Sequence, residues 1–113
     1  MSVMKNINPI TPMKMEDAIN NSPDTIASKA ICTTENTEMR FFSYAKDESI
    51  SKEFQEEDTM IYLIEGELNI QYDEDDQKKE IILSKGEFIV LPSNLNYGMY
   101  ANEDSKSFNI LVK

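Results

Sequence analysis

The chain has 113 residues, 21 acidic against 11 basic and no histidine, giving a formal net charge of −10. A field of that sign repels phosphate backbones and anionic lipid heads, which disfavours nucleic-acid and membrane-surface roles. No apolar run approaches the ~18 residues of a membrane-spanning helix and no signal-type segment opens the chain, so a single cytoplasmic domain is expected.

Residues 1–26 differ in character from the rest. They hold Pro9, Pro12 and Pro23, several Asn and Ser, and one short helical possibility around Met13–Ile19, where MEDAI can form an amphipathic turn. This segment is predicted to be an extended N-terminal arm, too polar to form a core alone. Residues 27–113 then read as a train of short strands: Ser28–Thr33, Glu38–Ala45, Ile50–Phe54, Met60–Ile64, Glu67–Tyr72, Lys79–Leu83, Phe88–Leu91, Tyr97–Ala101 and Ser107–Val112. Each is rich in β-branched and aromatic residues and bounded by a turn signal such as TEN, KDES, DEDDQ or NEDS. In ELNIQY, Leu68, Ile70 and Tyr72 share one face, opposite Glu67, Asn69 and Gln71. Strands without intervening helices predict an all-β sandwich or barrel.

Two features are assigned bland roles. The lone Cys32, in the apolar run KAICT, has no disulfide partner and no histidine to activate it, so it is expected in the core. The acidic cluster Asp73, Glu74, Asp75 and Asp76 is expected to be a solvated loop.

The order of glycines and prolines narrows the fold. Gly66 ends the strand MIYLIE, and Gly86 opens GEFIVLPSNLNY, in which five residues separate the glycine from Pro92. IYLIEGELNI and GEFIVLPSNLNYGMY resemble the two motifs of small single-domain cupins, the conserved-barrel, RmlC-like jelly rolls, and FFSYAKDESIS resembles the strand and turn before the first motif. The resemblance covers roughly residues 27–112 and implies a double-stranded β-helix, or jelly-roll barrel. It also implies a homodimer in which the N-terminal arm is a candidate exchange segment.

In the resembled motifs, two histidines, a glutamate and a final histidine usually hold one divalent transition metal. The matching positions here are Glu53, Gln55, Thr59 and Tyr97, and none keeps its family identity. Asn94 stands where a glycine is common after Pro92. Without imidazole the affinity for such ions is lost, so no transition-metal cofactor is expected. The four side chains are expected to point into the barrel mouth, either orienting a small ligand or satisfying one another. Alternation adds Ile61, Leu63 and Met99 to the cavity wall, and some of Phe41, Phe42 and Tyr44 on the preceding strand are within reach of it. Arg40, the only arginine, either clamps a ligand carboxylate there or forms a surface ion pair. Glu56, Glu57 and Asp58 are read as solvated loop charges, lacking the spacing of a calcium loop. Three readings stay open: metal-independent binding of a small polar or carbohydrate-like ligand, an enzyme, and a stable dimer whose cavity is collapsed and whose surface does the work. The enzyme would be a metal-free isomerase or lyase in which Tyr97 and Glu53 act as acid and base, or one using a divalent cation held by oxygen ligands.

Overall fold

The computed structural model describes residues 3–113, so the first two residues of the expected arm lie outside the described residues. Nine strands follow one another: β1 (Ile26–Thr33), β2 (Thr37–Tyr44), β3 (Ser49–Gln55), β4 (Asp58–Glu65), β5 (Glu67–Glu74), β6 (Gln77–Ser84), β7 (Phe88–Leu91), β8 (Leu95–Ala101) and β9 (Ser105–Val112). All nine correspond to predicted runs. Most extend a residue or two further at their ends, because ladder hydrogen bonds continue into polar residues that carry no apolar signal. The helical turn expected around Met13–Ile19 is a short 3₁₀ turn at Met15–Asp17.

The strands form two antiparallel sheets in the orders β1-β2-β9-β4-β7 and β3-β8-β5-β6, the jelly-roll arrangement read from the motifs. Between them, Tyr44, Ile61, Leu63, Leu68, Ile70 and Leu83 form the main core. Each fully buried aliphatic side chain contributes about 1.5–3 kcal/mol. β9 shows how one strand serves two faces. Its alternation buries Ser105, Ser107 and Asn109 toward the other sheet, while Phe108 meets Phe41 on the outside with ring centroids 4.9 Å apart.

That outer face carries a second cluster, in which Ala18 of the arm packs with Ile31, Phe41 and Ile64. Backbone and side-chain bonds fasten the arm to its own barrel. Lys5 N donates to Ile31 O at 2.8 Å, Lys29 Nζ to Ala18 O at 3.0 Å, and Lys106 Nζ to Glu16 O at 2.7 Å. Cys32 is buried, as expected, beneath the bridge that Met4 makes to it. Among the described residues no helix is long and apolar enough to cross a membrane.

Two turns explain why particular residues stand where they do. Gly66 joins β4 to β5 at φ +88°, and a Cβ there would sit 2.2 Å from Ser105 Oγ and 2.5 Å from Asp104 O. Asp75 and Asp76, both at positive φ, make the two-residue turn between β5 and β6. The solvated-loop reading of the acidic cluster is therefore corrected. Asp73 and Glu74 belong to β5, and Asp73 is bound by Lys52 Nζ at 2.8 Å and Asn96 Nδ2 at 2.7 Å. The Lys52 hydrogen bond, followed by that from Asn96, holds the Asp73 carboxyl below the usual carboxylate range.

Candidate functional site

Between the sheets lies a cavity of about 150 Å³, and Glu53, Gln55, Thr59, Tyr97 and Met99 all line it. Five strands bring its walls together, so residues distant in sequence meet there. β3 contributes Ile50, Glu53 and Gln55, although strict alternation would set Ile50 on the opposite face from the other two. A slip in the β3–β8 register between Ile50 and Glu53 reconciles them: the extra residue of a bulge shifts the phase, and Glu53 ends directly opposite Tyr97. Gly98 permits that bulge, since a Cβ there would fall 2.4 Å from Ile50 O and 2.7 Å from Lys52 N.

The far end of β3 is held by Asn94, whose N–H donates to Gln55 O at 2.7 Å. Asn94 sits at φ +65°, a left-handed conformation that Asn tolerates better than most residues, which explains how it replaces the customary glycine. Asp58 begins β4 by accepting from Ser93 N at 2.7 Å, which gives one member of the Glu56–Asp58 run a structural role.

Two hydrogen-bonded sets organise the polar groups. Tyr97 Oη donates to Thr59 Oγ1 at 3.2 Å, which ties β8 to β4 across the two sheets. Deeper in, Tyr44 Oη and Ser107 Oγ are 2.8 Å apart, and Ser107 Oγ donates to Asn109 Oδ1 at 2.8 Å. Ser107 has a single proton, so Tyr44 must be the donor in the first of these bonds. The relay uses the Asn109 carbonyl oxygen, and the Asn109 side chain, which lines the cavity, also interacts with Tyr44. Burial pushes the Tyr44 phenol up to about 12, against the smaller downward pull of its bonds to Ser107 and Asn109. Burial also raises Tyr97, with the Thr59 bond opposing and the Glu57 carboxylate adding to it. Both phenols stay protonated at neutral pH and serve as hydrogen-bonding groups, not bases.

Three residues expected at the wall are elsewhere. Ile61 and Leu63 share the alternation phase of Thr59 but are fully buried in the core that the cavity does not reach. Arg40 shares the phase of Phe42 and Tyr44, yet its Nε binds Glu38 Oε1 at 2.5 Å and its Nη1 binds Ser28 Oγ at 2.8 Å. Those partners, one two residues along β2 and one across on β1, draw the guanidinium out of the cavity. Conversely, Asn109, Gly98, Ile50 and Leu111 line it without having been expected to. A polar residue in phase with Ser105 and Ser107, and a glycine inside NYGMY, were the available signals.

No family model and no curated protein matches the sequence. Solved structures do. A conserved protein of unknown function from Streptococcus pyogenes superposes with a TM-score of 0.92 at 21% identity, over 100% of this chain and 96% of that one. A cupin superfamily protein from Desulfitobacterium hafniense gives 0.89 at 22% identity, covering 98% of each chain. A cupin 2 conserved barrel domain protein from Leptotrichia buccalis gives 0.84 at 28% identity, over 99% of this chain and 51% of that longer one. By fold, this chain is a small cupin.

The transition metal implied by cupin motifs can be tested against this cupin's own donors. At the matching positions there is one carboxylate, one amide, a threonine hydroxyl already engaged by Tyr97, and a phenol whose proton burial retains. Among the described residues no three His, Cys, Asp or Glu side chains gather closely enough to hold an ion. Such a donor set does not fit iron, nickel, copper or zinc, which favour imidazole or thiolate.

Proposed function

We propose that this cupin binds a small polar ligand in the barrel cavity, without a metal. The fold in general supports small-molecule binding or an enzyme-like role. The observation that carries the finer reading is a cavity of about 150 Å³ whose lining includes Glu53, a carboxylate that no side chain among the described residues takes up. An engineered cavity of about this volume in another protein admits benzene, so the ligand is about the size of a six-membered ring. Drug-sized pockets are larger, at roughly 300–1,000 Å³. A monosaccharide or another ring bearing hydroxyl groups lies near this upper size.

The alternative is acid–base catalysis by Glu53 and Tyr97, favoured by their direct pairing across β3 and β8. It has less behind it, because the Tyr97 hydroxyl donates to Thr59. Titration of small polar compounds against isotope-labelled protein tests the binding reading. Chemical-shift changes are expected at Tyr97, Met99 and Asn109. Changes confined to the outer sheet face, or none for any compound of this size, would overturn it.

A further inference from the structure

We propose that the ligand is a small organic ammonium ion with a ring-sized body. This deepens the binding reading and rests on it. Glu53 is the only Asp, Glu, Lys or Arg among the residues lining the cavity, and its carboxyl group makes no ion pair or hydrogen bond among the described residues. The two cations nearest in sequence or phase are committed elsewhere. Lys52, the neighbour of Glu53, is bonded to Asp73 at 2.8 Å, and Arg40 is held by Glu38 and Ser28. A carboxylate left without a cation at the wall of a concave site is a place for a ligand's positive group.

The remaining surfaces suit the same molecule. Phe42, Tyr44 and Tyr97 all line the cavity, and aromatic side chains attract cations. Ile50, Met99 and Leu111 supply apolar wall for a hydrocarbon body. The relay from Tyr44 through Ser107 ends on Asn109, which lines the same cavity and adds polar surface to it. Carboxylate and phosphate ligands find no counter-charge in the lining, and the net charge of −10 repels them before contact.

Three probes of nearly equal size separate the possibilities: benzylamine, benzyl alcohol and benzoate. Their affinities are measured by calorimetry on the full chain and on Glu53→Gln, at low and high salt. Benzylamine should bind about fivefold or more tightly than benzyl alcohol, the factor expected of one partly hydrated ion pair, and benzoate should be weakest. That preference should fall toward one in Glu53→Gln and in high salt. Glu53 is exposed, so the variant should keep the wild-type melting temperature. Equal binding of the amine and the alcohol by the wild type, or a preference that survives in Glu53→Gln, overturns the ammonium assignment and leaves the cavity reading standing. Failure of all three probes to bind overturns both.

Discussion

Tyr44 is the residue where burial and chemistry meet most directly. Its hydroxyl is enclosed with Ser107 and Asn109, and its pKa rises from 10.0 to about 12 because the charged form would be desolvated. The fold thus prefers the neutral phenol. Its contribution is fully present below the unfolded-state value near 10 and is lost as pH rises toward 12. Two units correspond to about 3 kcal/mol. Denaturant unfolding measured from pH 8 to 12 should show stability level up to about pH 10 and falling beyond it. Tyr44→Phe should be less stable at neutral pH by about 1 kcal/mol, from the lost hydrogen bond, and should show a shallower alkaline fall. An unchanged alkaline slope would place the titrating group elsewhere. The same scale shows where the sequence was legible. Thr59 and Tyr97 were read as inward-facing from motif position and alternation, and they share a hydrogen bond. Asn109 was not read, because an Asn two residues from Ser107 on the terminal strand acquires its role only when Tyr44 comes to that pair from another strand.

At the scale of the element, β3 is the decisive strand. Its bulge turns Ile50, Glu53 and Gln55 to one side, and Gly98 on β8 makes room for it. The atoms that a new Cβ would meet at Gly98 are backbone, which cannot swing aside. Gly98→Ala should therefore cost about 1–3 kcal/mol, the usual cost of overpacking, and should reduce cavity binding more than Glu53→Gln reduces that of a neutral probe. Melting temperature and benzyl alcohol affinity check the two parts separately. Asn94 offers a contrast on the next turn. Asn94→Gly should be tolerated within about 0.5 kcal/mol, whereas Asn94→Val, β-branched at φ +65°, should lose about 1–2 kcal/mol. Equal stabilities for the two variants would mean the turn relaxes out of its left-handed conformation.

For the whole molecule, the metal and the pairing of copies are the open quantities. Metal-independent binding predicts no stoichiometric iron, nickel, copper, zinc or calcium in protein purified without chelator. It also predicts a melting temperature unmoved by EDTA. A bound ion at one per chain would return the oxygen donors of the cavity, or of Glu56–Asp58, to consideration as ligands and put the enzyme reading first. A homodimer is proposed on the apolar outer face, where Phe88, Val90 and Val112 are exposed beyond the reach of the arm. Light scattering should give about twice the 13.0 kDa chain mass. Deleting residues 1–20 should abolish the dimer if the arm is exchanged between copies. A dimer that persists would assign the contact to the sheet face.

The sequence by itself determined the nine strands, the two-motif order of glycine and proline, and the four positions stripped of imidazole, because alternation, turn chemistry and side-chain identity are local properties. Only the tertiary structure decided which inward residues reach the cavity. Ile61 and Leu63 fell behind it, Arg40 was drawn away by Glu38 and Ser28, and Asn109 came forward on its relay. The depth of a side chain between two sheets depends on the register of five strands at once, and a single bulge in β3 shifts that register in a way no one strand records.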